Sequence, residues 1–325
     1  MISIGHRAAN AAAGRTRGGA AARPPARGGA PLPLGGGARC RRAPAPADAA
    51  AAGRGVDADI RIIASDCDGT LLNSRQLLTP GVEAAVLRAH EAGVPLIVAT
   101  GKARGPWAPE VLPRLGAPMP GVFLQGLLIT DAQGRTMLSR CLEEEVLLAC
   151  IRLARAARVT LTAYSDDRIL CDATDAHTER LLFYKEPPPE ALGDLERVVI
   201  FMAPQQRIDE LRPEVEAAME GRASITTAIS GMLEVLPLGA SKGAGVEWLL
   251  REMGRDPAHL MAIGDGENDI EMLQLAALGV AMGNAGPRVK AAADRVVASN
   301  DEDGVAEAIE AHVLGPRRAA ARSAA

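Results

Sequence analysis

Two carboxylates two residues apart, in Asp66-Cys67-Asp68-Gly69-Thr70, are the first residues along this chain whose types and spacing suit chemistry. They follow residues 60–65 (IRIIAS), a short run rich in β-branched residues that reads as a buried parallel strand. Just past the end of such a strand both carboxylates can face one pocket. One can attack phosphorus while the other handles the proton of the leaving group. Gly69 permits the sharp turn this needs. Taken alone, the same five residues are equally an Asp-Gly turn with no ligand.

Three further pieces share that position at a strand end or a helix start. Thr100-Gly101-Lys102 closes a second apolar run, residues 95–100, where a hydroxyl and freed backbone N–H groups could hold a phosphoryl oxygen. An ordinary strand-to-helix turn reads the same way. Lys242, in Ala240-Ser241-Lys242-Gly243, opens a helix, where a cation opposes the helix dipole. A bound anion explains it, and so does a surface position. Gly264-Asp265-Gly266-Glu267-Asn268-Asp269 gathers carboxylates suited to Mg²⁺, a hard ion that takes oxygen ligands. It could instead cap the next helix. It is not an EF-hand loop, since the alternating ligands and the closing Glu are missing. His90, His177 and His259 are scattered and read as structural, and Cys67 reads as apolar filler pointing away from the site.

The elements that must position these residues are legible from apolar periodicity. Thr79-Pro80 supplies an N-cap and a first-turn proline, and Gly93 stops the helix, so the opening is strand, helix, strand. The same rhythm returns late, with helices over 241–253, 269–277, 287–293 and 303–312 and strands over 260–263, 279–282 and 295–298. This is a doubly wound α/β pattern, whose ligands sit at the C-terminal ends of the strands. The middle is less regular: a hairpin of strands over 121–130 and 136–139 around 131–134, a helix over 143–157, paired strands over 160–164 and 168–172, then strand, helix, strand, strand from 198 to 236. Such a mixture predicts an α+β cap inserted into the parallel-sheet core. The expected division is a disordered leader over 1–55, a core made of 56–120 and 238–313, a cap over 121–237, and a loose tail over 314–325.

Composition narrows the function classes. Apolar residues make up 48% of the chain, enough for a real core, while aromatics make up 2%, too few for stacking on single-stranded nucleic acid. Net charge is −4 and the basic residues beyond the N-terminus are dispersed, so no nucleic-acid partner is expected. No apolar run is long enough to span a membrane. Five cysteines without a CxxC pair read as reduced thiols. Residues 1–47 hold eight arginines and no Asp or Glu, the composition of an organelle transit peptide, with plastid import the first reading, mitochondrial import the second, and a disordered tail without an address the third.

Taken together, Asp66-x-Asp68-Gly69-Thr70, Thr100, Lys242 and Gly264-Asp265-x-x-Asn268-Asp269 stand in the order of the four motifs of the haloacid dehalogenase superfamily. The chain resembles that superfamily over roughly 60–312, and its long insertion is similar to the large cap of the Cof-type branch, as is Met282-Gly283-Asn284-Ala285. Residues 121–126 and 262–275 resemble plant plastid members, some of which are fused to an endoribonuclease. This chain has no additional His-rich metal motif of that kind, so ribonuclease activity is not expected of it.

The resemblance implies a Mg²⁺-dependent phosphatase acting on a small phosphomonoester. Asp66 would be the nucleophile and Asp68 the acid and base, with Thr100 and Lys242 stabilising the phosphoryl oxygens. Gly69, Thr70, Gly101, Lys102 and Asn268 would line the phosphate side. Mg²⁺ would be held by Asp66, Asp265 and the backbone carbonyl of Asp68, with Asp269 orienting that shell. Two departures, Lys102 where the branch often has Arg and Gln125-Gly126 where many relatives have Asn-Gly, bear on the substrate side. Sugar phosphates, nucleotide-related phosphates and flavin-pathway intermediates all remain open. Among cap residues, Arg168, Tyr164 and Lys185 could line the pocket or be surface groups. A phosphomutase of the same chemistry and a catalytically silent plastid scaffold are the competing readings.

Overall fold

The computed structural model describes residues 59–165, 167–171, 174–191, 198–227 and 229–317. The expected leader, and the tail beyond residue 317, lie outside the described residues. The chain opens with β1 (Ile62–Ser65), α1 (Pro80–Glu91), β2 (Leu96–Val98) and the short α2 (Trp107–Val111). The hydroxyl of Thr79 accepts from the backbone N–H of Val82 at 3.2 Å, and Pro80 takes the first turn, as the sequence predicts. Val82, Ala85, Val86 and Ala89, at helical spacing, are the buried face of α1.

Next come β3 (Gly121–Phe123), β4 (Leu128–Thr130) and β5 (Thr136–Ser139). One expectation is corrected here. Residues 121–130 are not one strand: a tight turn through Leu124, Gln125 and Gly126, all at positive φ, folds β3 back on β4. Nor does this segment open the cap. Ala99 bridges Val122 in parallel and Thr100 N–H donates to the Val122 carbonyl at 2.9 Å, so β3 extends the edge of the core beyond β2. Val122 and Ile129 are buried with Ile62, Ile97 and Val246, which fixes the segment to the core rather than to the insertion.

The insertion holds α3 (Glu144–Ala157), β6 (Thr160–Ser165), β7 (Arg168–Cys171), α4 (Ala176–Phe183), β8 (Pro189–Ala191), β9 (Val198–Met202), α5 (Gln205–Met219), β10 (Ala223–Thr226) and β11 (Met232–Pro237). Helix α4 has no counterpart in the sequence reading. It starts on a capping box between Asp175 and Thr178 but buries only Thr178 and Leu181, too little to leave an amphipathic stripe. The six strands lie in the order β10-β11-β9-β6-β7-β8. Strand alternation sorts their side chains. Leu161, Ala163, Phe201, Leu233 and Val235 are buried with residues of α3 and α5, such as Val146, Cys150, Leu211 and Val215. The opposite parity, Thr162, Tyr164, Ile200, Met202, Met232 and Glu234, makes the other face.

The chain then returns to the core through α6 (Lys242–Glu252), β12 (Leu260–Gly264), α7 (Ile270–Leu275), β13 (Leu278–Ala281), α8 (Pro287–Ala292), β14 (Arg295–Val296) and α9 (Gly304–Ile309). The core sheet is parallel throughout, in the order β14-β13-β12-β1-β2. Ile62 and Ala64 pack with Val246, Leu249 and Met272 of α6 and α7, while Ile63 packs with Val82, Val86, Val305 and Ile309 of α1 and α9. All four residues of β1 are buried because helices cover both faces. The tail expected to be loose from residue 314 instead continues helical to residue 317, where the Arg317 guanidinium donates to the Ile60 carbonyl at 2.7 Å. Among the described residues no helix is long and apolar enough to cross a membrane.

Candidate active site

Parallel strands deliver their C-terminal ends to one edge, and the sequence-predicted residues meet there. Asp66 follows β1, Thr100 stands two residues past β2, and Asp265 follows β12. Lys242, the first residue of α6, is 1% exposed, so the surface-lysine reading does not hold. Its Nζ lies 2.6 Å from Asp66 Oδ1 and 2.7 Å from Asp269 Oδ1. Asp269 Oδ2 accepts from the backbone N–H groups of Asp265 at 3.0 Å and Gly266 at 2.9 Å. Both oxygens of Asp269 are therefore engaged in holding Lys242 and folding the loop that carries Asp265.

Asp265 is aimed by two donors. Thr70 Oγ1 donates to its Oδ1 at 2.9 Å, and Asn284 Nδ2 donates to its Oδ2 at 3.1 Å and to the Gly69 carbonyl at 2.8 Å. Thr70, expected on the phosphate side, thus turns its hydroxyl to the carboxylate. Gly69 has φ +76°, and a Cβ there would lie 2.4 Å from Asp265 Oδ2, so only glycine fits. Asp68 faces the other way: Lys102 Nζ donates to its Oδ1 at 2.9 Å and to Gln76 Oε1 at 3.3 Å. The same ammonium sits 5.4 Å from the centre of the Trp107 ring and 5.8 Å from that of Tyr184. Thr100 Oγ1 accepts from Lys102 N–H at 3.1 Å, and Asn268 Nδ2 donates to Gln125 Oε1 at 3.1 Å. Cys67 is buried in the apolar core, as expected.

Burial, then repulsion from Asp269, raises the Asp66 carboxyl well above its usual range, although Lys242 pulls it down. Burial and Asp269 likewise push Asp265 up to about 7. Burial opposes the charge on Lys242, but Asp269 and Asp66 outweigh it and hold the ammonium above the ordinary lysine value. Carboxylate oxygens of Asp66, Asp265 and Asp269 all lie within 4.8 Å of one another. Three acids against one lysine, with oxygen donors only, form a set that a hard divalent cation relieves. Asn268 Oδ1, buried without a hydrogen-bond partner among the described residues, is a further acceptor beside them.

A cavity of about 310 Å³ opens on this cluster and runs up to the inner face of the inserted sheet. Asp66, Asp68, Gly69, Thr100, Gly101, Lys102, Lys242, Asp265 and Asn268 all line it. Of the three cap residues considered from sequence, Tyr164 lines it, whereas Arg168 pairs with Glu190 at 2.7 Å and Lys185 with Glu110 at 2.6 Å, both outside the lining. Sequence reasoning missed Gln76, Glu186 and Glu234 in the lining and the role of Asn284. For Glu234 a signal existed, a single charge in the apolar run Met232-Leu233-Glu234-Val235-Leu236. For Glu186, between Lys185 and three prolines, there was none.

Comparison with known proteins agrees with the geometry. Residues 63–309 match the family model for haloacid dehalogenase-like hydrolases. The chloroplastic endoribonuclease YBEY of Arabidopsis thaliana is 39% identical over 266 residues, which is 76% of this chain but 45% of that protein, so the chain spans under half of its length. The 5-amino-6-(5-phospho-D-ribitylamino)uracil phosphatase YcsE of Bacillus subtilis is 30% identical over 260 residues, 79% of this chain and 98% of that one. A haloacid dehalogenase-like hydrolase from Bacteroides thetaiotaomicron superposes with a TM-score of 0.68 at 27% identity, covering 77% of this chain and 98% of that one. With its parallel core, its antiparallel cap and its motif residues gathered at one sheet edge, this chain belongs to the haloacid dehalogenase-like hydrolases.

Proposed function

We propose that the chain hydrolyses a small phosphomonoester through a phosphoaspartate on Asp66, with Mg²⁺ as cofactor. The observation that carries this is the seating of Asp66, buried at the end of β1, with Lys242 Nζ on one carboxylate oxygen at 2.6 Å and the cavity before it. An Asp66 oxygen forms a bond to phosphorus as the ester P–O bond breaks, and Asp68 gives its proton to the departing oxygen. Water then attacks the same phosphorus, Asp68 takes its proton, and the aspartyl P–O bond breaks to release inorganic phosphate. Lys242 and Thr100 face the phosphoryl oxygens and stabilise the charge that builds on them. Lys102 positions the Asp68 carboxylate. Asp66, Asp265 and the Asp68 carbonyl would hold the cation, while Asp269, with both oxygens engaged, orients the loop. When bound, Mg²⁺ supplies positive charge that shields the phosphoryl oxygens from the attacking carboxylate.

Phosphate release by Asp66→Asn tests the assignment. Turnover should fall by about 10³-fold or more, with the melting temperature within a few degrees of the parent. A variant that keeps its turnover would sink the nucleophile, and transfer of the phosphoryl group to a second sugar hydroxyl instead of water would point to a mutase.

Residues 1–55 act, in this reading, as a plastid import signal. Their Arg-rich, acid-poor composition and the chloroplastic relative support it. A fluorescent protein fused behind residues 1–55 should collect in plastids; mitochondrial or cytosolic fluorescence would count against the address.

A further inference from the structure

The half of the cavity away from Asp66 is built from a different set of side chains. The chain is poor in aromatics, with two tyrosines and three phenylalanines, yet both tyrosines, Tyr164 and Tyr184, and one phenylalanine, Phe183, line this one cavity. Leu181, Ile200, Ile229 and Met232 complete the apolar wall. Strand alternation explains the selection: Tyr164, Ile200 and Met232 have the parity of the inner face of the inserted sheet.

Two carboxylates interrupt that wall, and among the described residues no lysine or arginine of the inserted domain joins them in the lining. Glu234, 5% exposed, accepts from Gln125 Nε2 at 2.7 Å and from no other donor among the described residues. Glu186, also 5% exposed, accepts from Ala103 N–H at 3.2 Å and among the described residues has only the long 3.5 Å contact with the Tyr164 hydroxyl besides. A carboxylate offers about four acceptor sites, so both acids face the cavity with acceptor capacity unused. Buried polar groups normally find partners. Among the described residues the one cation on this side, Lys102, already carries Asp68.

We infer that this wall selects the leaving group of the substrate: a flat, largely apolar alcohol that carries a hydrogen-bond donor, an amine or ring N–H, read by Glu234 and Glu186. The inference rests on the phosphatase reading and narrows it. A second phosphate or a carboxylate on the leaving group meets two acids and a lysine already engaged by Asp68, and is disfavoured. A hexose meets an apolar wall that leaves most of its hydroxyls unpaired. Burial pushes Glu186 up to about 8 and Glu234 up to about 7, so an ammonium beside either acid restores solvation that it lost.

Three benzyl phosphates that differ only at the para position test this on the full chain with Mg²⁺. They carry an aminomethyl, a methyl or a carboxylate group, and para-nitrophenyl phosphate and a hexose phosphate run beside them. The expected order of kcat/KM is aminomethyl, then methyl, then carboxylate, with the first exceeding the last on the order of 10-fold or more. Glu234→Gln and Glu186→Gln should each shrink the ratio of aminomethyl to carboxylate ester, a quantity that a general loss of stability leaves unchanged. Equal rates for the three esters, a preference for the carboxylate or the hexose, or release from para-nitrophenyl phosphate alone would overturn the inference and leave the phosphatase reading intact. No release from any ester, with parent and Asp66→Asn alike, would remove the phosphatase reading and this inference with it. The parent series decides even where a glutamine variant fails to fold.

Discussion

Single residues here carry their meaning through burial. Glu186 is the plainest case. Its ordinary carboxyl value of 4.5 is raised to about 8, chiefly by burial, with Lys102 pulling it down and Asp68 pushing it up, while Ala103 N–H and the Tyr164 hydroxyl face it. Between those two values the folded chain keeps a proton that the unfolded chain has lost. Stability therefore declines as pH rises through this window. Glu186→Gln, neutral at every pH, should match the parent near pH 4.5 and out-melt it by at least about 2–4 °C at pH 9, roughly 1 kcal/mol. Parallel melting curves across that range would show that Glu186 titrates as an ordinary acid. The same logic explains what was legible. Asp66, Asp68, Thr100, Lys242 and Asp265 announce themselves by type at strand ends and helix starts. Lys242 alone reads equally as a surface group, because only packing reveals that it serves two acids. Asn284 and Gln76 act by aiming other side chains, and nothing local in sequence marks such a task.

Among the elements, the turn between β3 and β4 couples distant parts of the site. Gln125 at φ +57° receives Asn268 on its carbonyl and donates to Glu234 with its amide, joining the loop after β12 to the inserted sheet. Gly126, at φ +88°, lets this turn touch the start of α6; a Cβ there would lie 2.2 Å from the Ser241 carbonyl. Gly126→Ala should cost about 2 kcal/mol or more in stability, and it should depress turnover beyond what the melt explains, because α6 begins with Lys242. An unchanged melting curve would mean that the helix start yields. Sequence periodicity recovers the core strands and the long helices well, since burial on both sides of β1 and β12 leaves unbroken apolar runs. It fails at 121–130, where three residues at positive φ hide inside an apolar stretch and only Gly126 hints at a turn. It fails again at α4, whose two buried residues leave no stripe to read.

For the molecule as a whole, topology is what the sequence conveys best. Alternating strands and helices before and after a long insertion predict a parallel core and a separate layer, and the sheet orders agree. The seam between the layers was not legible, because the β3–β5 segment reads as insertion until its pairing with Ala99 assigns it to the core edge. Across that seam Arg104 grips Asp167 with bonds of 2.8 and 3.0 Å, and Lys185 grips Glu110. These pairs are partly exposed and worth about 0–1 kcal/mol each, so they add little to the buried bonds of Gln125 with Glu234 and of Ala103 with Glu186 across the same seam.

The ammonium of Lys102 lies between Trp107, which belongs to the core, and Tyr184, which belongs to the insertion. Were the layers to part, the tyrosine would leave and the indole would stay with its cation. Trp107 is thereby a built-in fluorophore for the motion, and its only companion among the chain's two tryptophans is Trp248 on α6. In a chain so short of aromatic residues, the emission of Trp107 would follow any such parting without an attached label.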